Sequence, residues 1–223
     1  MSAVHIVGAG LSGLAAAVRL SGGGNRAVHL HEGAGQAGGR CRSFYDETLG
    51  CSIDNGNHLL LSGNRSAMSY LREIGAEDTL YRAPEAIFPF IDLRSGLRWR
   101  VRPNRGRIPW WIFDKRRRVP DTTAFDYLTV LRLAFAGSNS TVAACVGSRR
   151  VLYERFWEPL AVAALNTAAD EGASRLLWPV VMETFGQSGD AARPCMAKEG
   201  LSTSFVDPAL EHLSRCRAEI AFN

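Results

Sequence analysis

Three glycines and a glutamate are the first residues in this chain whose types and spacing point to chemistry. Gly8-Ala9-Gly10-Leu11-Ser12-Gly13 follows the apolar run Ala3–Val7 and precedes Leu14–Leu20, which is rich in good helix formers. Gly8 permits a tight turn out of a strand. Gly10 has no side chain, so the backbone can approach a pyrophosphate closely, and Gly13 lets the next helix pack tightly on a sheet. The helix opening at Leu11, Ser12 and Gly13 offers unpaired N–H groups and a partial positive charge to phosphates. Glu32 stands 19 residues after Gly13, at the end of a second strand-like run, Ala27–His31. An acidic side chain there can accept hydrogen bonds from ribose hydroxyls. A lone GxGxxG is weak evidence; the order of buried strand, glycines, helix, second strand and acidic residue is what predicts dinucleotide binding. A glycine turn in some other α/β protein leaves Glu32 unexplained.

Two further constellations follow. Glu32 to Ser43 is a glycine-rich loop that contains Gly38-Gly39-Arg40. Its backbone can run close to a second part of a cofactor, and Arg40 can neutralise phosphate charge. A flexible surface loop with a solvated arginine is the plainer reading. Asp54-Asn55-Gly56-Asn57-His58 lies between two apolar runs. Asp54 and His58 form the first titratable pair to consider for acid–base work. Equally, Asp54 caps a turn in which Gly56 takes positive φ.

The elements that position these groups are those of an α/β protein. The chain has 223 residues, 46% hydrophobic and 22% charged, which suffices for a sizeable core. Its net charge of +4 is mild, and many of the cations lie between Arg94 and Arg118. No nucleic-acid-binding fold accompanies them, so no nucleic acid is expected as a partner. Five widely spaced cysteines show no metal-ligand spacing and read as reduced thiols of a cytoplasmic protein. Glycines interrupt residues 3–20 and no basic segment precedes them, which argues against a signal peptide.

Asn64 to Gly75 is predicted helical, with Asn64 as N-cap and Gly75 as stop. Ile87–Leu93 and Leu97–Val101 are predicted to pair as a hairpin across Arg94-Ser95-Gly96. Apolar residues recur at helical spacing over 124–136, 151–166 and 173–184. Residues 201–213 read as a helix and 218–222 as a strand. Pro109-Trp110-Trp111-Ile112-Phe113, followed by Asp114-Lys115-Arg116-Arg117-Arg118, fits either a core segment with a solvated turn or peripheral contact at a membrane face. The first is favoured, because so short a run has little membrane affinity alone.

Gly8 to Gly13, Glu32 and Gly38-Gly39-Arg40 together resemble the FAD-binding amino-oxidase and phytoene-desaturase superfamily. Several longer strings resemble one branch, the squalene-associated FAD-dependent desaturases or hydroxysqualene dehydroxylases. They are Asp54 to Leu61, Arg102-Pro103-Asn104, Pro109-Trp110-Trp111, Trp157 to Thr167, and Glu199-Gly200-Leu201-Ser202. The resemblance implies a Rossmann-type FAD-binding domain, here incomplete, with an inserted mixed and largely helical substrate domain. It implies bounds of 1–82 for the first part of the FAD domain, 83–200 for the substrate region and 201–223 for the return.

FAD is the implied cofactor, with Gly8, Gly10, Leu11, Ser12, Gly13, Glu32, Gly38, Gly39, Arg40, Asn57 and His58 at its site. The implied partner is a hydrophobic prenyl-lipid substrate, and the implied reaction is reductive removal of the hydroxyl of hydroxysqualene. Members of this branch are about twice as long, in keeping with the scaling of domain size. A missing C-terminal half or a partner subunit is therefore expected, with exposed apolar surface where it packs. Within the same fold, a carotenoid-type desaturase or an amine oxidase is the first alternative. A non-catalytic binding subunit is the second, and an NAD dehydrogenase, disfavoured by Gly38-Gly39-Arg40, the third.

Overall fold

A computed structural model describes every residue except Met1, Asn25, Asn57, His58 and Arg149. The chain forms two compact units. The first comprises Met1–Leu60, Arg65–Arg82 and Cys195–Asn223; the second comprises Leu61–Asn64 and Ala83–Pro194.

The first unit opens with β1 (Ala3–Val7), α1 (Leu11–Ser21) and β2 (Ala27–Glu32). β1 and β2 are parallel, with Ala3 opposite Ala27 and Val7 opposite His31, as a strand–helix–strand crossover requires. A hairpin of β3 (Ser43–Asp46) and β4 (Cys51–Asp54) follows. The two residues of β5 (Leu60–Leu61) stand where the chain passes to the second unit. Back in the first unit are α2 (Arg65–Glu73) and β6 (Leu80–Arg82). Gly75 ends the α2 segment at φ 71, where only glycine is unstrained, as its position predicts.

The second unit holds the hairpin β7 (Phe88–Ile91) and β8 (Arg98–Val101), and then α3 (Val142–Val146), α4 (Glu158–Leu165) and α5 (Ser174–Glu183). The hairpin turn is set by Asp92, whose carboxylate accepts from the Arg94 amide and the Ser95 hydroxyl. The chain returns through β9 (Pro194–Ala197), antiparallel to β6, and ends with α6 (Asp207–Arg215) and β10 (Glu219–Phe222). β10 joins the parallel sheet in the order β1-β2-β10.

One face of that sheet is covered. Val28 and Leu30 of β2 bury against Leu14, Ala17 and Val18 of α1 and Ala209 and Leu213 of α6. The opposite face carries His5, His29 and His31. The His5 ring stacks on the other two at centroid distances of 4.7 and 5.3 Å, and His29 Nδ1 lies 2.9 Å from Glu219 Oε2. β1 is thus not the buried strand that its apolar sequence predicts. It stands at the edge of the three strands, its residues alternate between exposed and half-buried, and Val7 is 89% exposed.

The second unit is built around aromatic rings. Phe156 is buried, with Trp157 at 4.8 Å, Phe185 at 5.6 Å, Phe90 at 6.0 Å and Tyr127 at 6.5 Å between ring centroids. Residues 151–165 are helical as predicted, but Tyr153–Trp157 widens to a π-helix just before Glu158-Pro159. Ser202–Val206 widens in the same way before Asp207-Pro208 in the first unit. The shared cause is the proline, which offers no N–H and crowds the carbonyl four residues back. Residues 124–135 form a 3-10 helix, with three residues per turn, rather than the α-helix that the apolar spacing suggests.

Candidate functional site

The site begins where β1 turns into α1. α1 has Gly10 at its N-cap with no side chain capping it, and no acidic residue in its first turn. Its first amides are therefore available to an anion, and the helix dipole favours one. The space beside Gly10 is open: a Cβ there would meet nothing within 4 Å. Gly13 is the opposite case. A Cβ there would lie 1.8 Å from the carbonyl oxygen of Gly8, so only glycine lets α1 start this close to the end of β1.

The Gly38-Gly39-Arg40 loop lies against this turn. The Gly38 amide donates to the carbonyl of Ala9 at 2.8 Å, and Gly10 and Gly38 form a parallel bridge. Gly38 sits at φ 103, and a Cβ on it would lie 2.5 Å from the carbonyl of Cys41. The two glycine loops thus form one backbone cradle. The exposed guanidinium of Arg40 makes no ion pair among the described residues. The Nε of Arg42 is buried without a hydrogen-bond partner among them. Such groups, on a loop whose backbone is bonded to the turn carrying the open amides, fit a phosphate-bearing cofactor.

Glu32 ties the cradle together. One carboxylate oxygen accepts from the Ala9 amide at 2.7 Å, the other from the Ala34 amide at 3.0 Å. These bonds, that of Ala9 foremost, hold the carboxyl below the ordinary glutamate range. Each oxygen keeps a lone pair for a further donor, so the ribose role remains open to it.

Asp54 has partners that sequence reasoning did not find. Its Oδ1 accepts from the Ser43 hydroxyl at 2.6 Å and from the Leu201 amide at 2.8 Å. The Ser43 hydroxyl in turn accepts from the Ser202 amide at 3.0 Å, while the Ser43 amide donates to the Ser202 hydroxyl at 2.8 Å. A Cβ on Gly200 would strike Ser43 Oγ at 2.6 Å. Glu199-Gly200-Leu201-Ser202 is therefore the seat on which the β3–β4 hairpin rests. The only signal for this in the sequence was the string itself, because its partners lie 147 to 159 residues away. Asp54 thus orients backbone across this junction, whatever else it does. His58 and Asn57 lie outside the described residues.

Cys41 and Tyr70 lie in the same unit. Burial, with the Asp54 charge adding, pushes the Cys41 thiol up to about 11. Burial likewise raises the Tyr70 hydroxyl, which donates to the Phe205 carbonyl at 2.7 Å. Both groups stay protonated near neutral pH. In the second unit a cleft of about 290 Å³ is lined by Glu85, Arg102, Arg105 and Asp190 among others. Its arginines are ion-paired, Arg102 to Glu85 at 3.0 Å and Arg105 to Asp190 at 3.7 Å, so it suits polar ligands rather than hydrocarbon.

A glycine cradle with an acidic partner occurs in many nucleotide-binding proteins; comparison with known proteins narrows it. Residues 11–210 match the family described as flavin containing amine oxidoreductase. The chain belongs to this family. It is 46% identical over 217 residues to the hydroxysqualene dehydroxylase of Sinorhizobium fredii, a match that covers 97% of the chain and 52% of that protein. It is 47% identical over 211 residues to the hydroxysqualene dehydroxylase of Rhodopseudomonas palustris, covering 95% of the chain and 50% of that protein. The chain thus spans about half the length of these curated relatives.

Solved structures share the fold. An oxidoreductase from Methanosarcina mazei superposes with a TM-score of 0.66 at 18% identity, over all of this chain and 51% of that one. A putrescine oxidase superposes at 0.58 and 16% identity, over 99% of this chain and 51% of that one. The family is flavin-containing, and the open amides at Gly10 are compatible with such a cofactor.

Proposed function

We propose that this chain carries the dinucleotide-binding half of an FAD-dependent oxidoreductase that reduces hydroxysqualene to squalene, a step of hopanoid formation. The observation that carries the reading is identity of 46–47% to two hydroxysqualene dehydroxylases over nearly all of the chain. The glycine cradle and Glu32 supply the binding chemistry it needs.

The reaction replaces a C–O bond by a C–H bond. A hydride goes to carbon, a proton goes to the departing hydroxyl, and water leaves. FAD, when bound and reduced, supplies the hydride. The amides that open α1 bind the pyrophosphate and Arg40 offsets its charge. Glu32 accepts from the adenosine ribose and, through its bond to the Ala9 amide, fixes the turn that carries Gly10. Gly38 brings the second loop onto that turn. The Asp54–Ser43–Ser202 junction holds the hairpin that follows this loop. Asp54 and His58 are the proposed sources of the proton, and Asn57 is a proposed neighbour of the flavin.

The test is direct. The purified protein, in the full length of its relatives, is titrated with FAD and then assayed under reducing conditions with hydroxysqualene, phytoene and an amine. The expected result is a bound-flavin absorbance and conversion of hydroxysqualene to squalene alone. Turnover of phytoene or the amine instead would give the function to the carotenoid-type or amine-oxidase alternative. Lipid binding without flavin binding would make the protein a non-catalytic subunit.

A further inference from the structure

The second unit exposes an apolar surface that the proposed chemistry does not use. In the 3-10 helix 124–135, residues three apart lie one above another. Tyr127 and Leu133 share the buried side. The side bearing Phe125, Leu128 and Leu131 faces outward, with Phe125 79% exposed, and Phe135, at the end of the helix and on the next column, is 91% exposed. A surface helix ordinarily shows polar residues there.

The neighbouring 3-10 turn Trp110–Phe113 repeats the pattern. Trp111 turns inward, its ring 5.1 Å from that of Tyr127 and near-perpendicular to it. Trp110 and Phe113 stay outside, each 62% exposed and 6.0 Å apart. The segment that reads from sequence as either core or membrane contact is thus divided residue by residue: Trp111 is core and its two flanking aromatics are not.

Cations lie within and next to these two segments of the chain. Arg107, Lys115, Arg116 and Arg132 are exposed and make no ion pair among the described residues. The acidic neighbour Asp114 is engaged, accepting from the Arg116 amide at 2.9 Å and lying 3.5 Å from Arg117. Exposed aromatics beside unpaired cations match an anionic bilayer in both its parts, because rings seat at the headgroup boundary while basic groups meet lipid phosphates.

We propose that this face, with Trp110, Phe113, Phe125 and Phe135 as anchors, docks the protein on an anionic lipid bilayer. The proposal is independent of the hydroxysqualene reading, since membrane binding is measured without flavin or substrate. The probe is a phosphatidylcholine vesicle with or without phosphatidylglycerol, sedimented with the protein. Binding is expected only with phosphatidylglycerol and is expected to weaken as salt rises. The double variant Phe125→Ser, Phe135→Ser should lose it. Lys115→Glu with Arg116→Glu should weaken it by about fivefold or more for each cation lost. All four positions, being exposed, should leave the thermal melt unchanged.

Absence of vesicle binding by the folded protein would overturn the proposal, as would binding that survives the Phe125 and Phe135 changes. Self-association in gel filtration that the same changes abolish, without vesicle binding, would make the face an interface between copies. Vesicle binding by a longer form of the protein that ignores these variants would likewise overturn it.

Discussion

The two units solve their packing problems with different materials. In the first, the decisive positions are those where a side chain is missing: Gly13, where a Cβ would collide with the Gly8 carbonyl, and Gly38, where it would collide with that of Cys41. In the second they are positions filled by large rings, with Phe156 among Phe90, Tyr127, Trp157 and Phe185. A backbone-made site is least tolerant of change at its glycines and at the one carboxylate that ties them together. A ring-made core depends on the volume and shape of each member.

The strongest test of this contrast is removal of the central ring. Phe156→Ala should cost about 3–5 kcal/mol, the usual loss for a fully buried aromatic. Urea unfolding followed by tryptophan fluorescence measures it, since Trp99 and Trp157 share that core. A loss under 1 kcal/mol, small against that range, would mean that the rings are not packed as a unit.

Next come the two glycines that differ only in what surrounds them. Gly13→Ala should destabilise the first unit at or above the upper end of about 1–3 kcal/mol, because the obstacle is backbone and cannot swing aside. Gly10→Ala has open space and should leave the circular dichroism melt unchanged while weakening FAD binding at least tenfold, by occupying the pyrophosphate's approach. Equal melting losses for both variants would break the distinction between a glycine needed for packing and one needed for a ligand.

The same contrast decides what could be read from sequence. Gly8, Gly10, Gly13 and Glu32 declared themselves because backbone constraints act at fixed short spacings. β1, α1, β2, the β7–β8 hairpin and the return strand at 219–222 follow from local pattern. The hairpin β3–β4 escaped, because its register is fixed by Asp54 and Ser43 meeting Leu201 and Ser202, partners invisible to any local window. The winding of 124–135 escaped too: apart from Asp126, Thr129 and Arg132 the segment is apolar throughout, so its apolar residues single out no one repeat. The exposure of β1 depends on what stands beside the sheet rather than on its own residues.

Asp54 offers a smaller and sharper effect. Asp54→Ala removes the acceptor for two donors and should cost about 1–3 kcal/mol. Asp54→Asn keeps an oxygen in place and should recover most of that stability. If Asp54 also moves a proton, turnover will fall in both variants while the melt of the Asn variant stays near normal. Recovery of turnover together with stability would confine the residue to holding the hairpin on Gly200 and Leu201.

The smallest effect separates two carboxylates held by backbone amides, one in each unit. Glu32 accepts from Ala9 and Ala34; Asp126 accepts from the Thr123 amide at 2.7 Å at the start of the 3-10 helix. Both are held below their ordinary values, chiefly by those bonds. A depressed carboxyl stabilises the fold fully above its unfolded value and loses that contribution as pH falls through the folded one. The difference in urea midpoint between the parent and Glu32→Gln should therefore be greatest near neutral pH and shrink once pH drops below 4.5, the ordinary value for glutamate. Asp126→Asn should behave alike below 3.8. FAD affinity tells them apart: Glu32→Gln should lower it near neutral pH, and Asp126→Asn should leave it alone. Loss of affinity in both would mean that stability, rather than a ribose contact, is what Glu32 lends to the site.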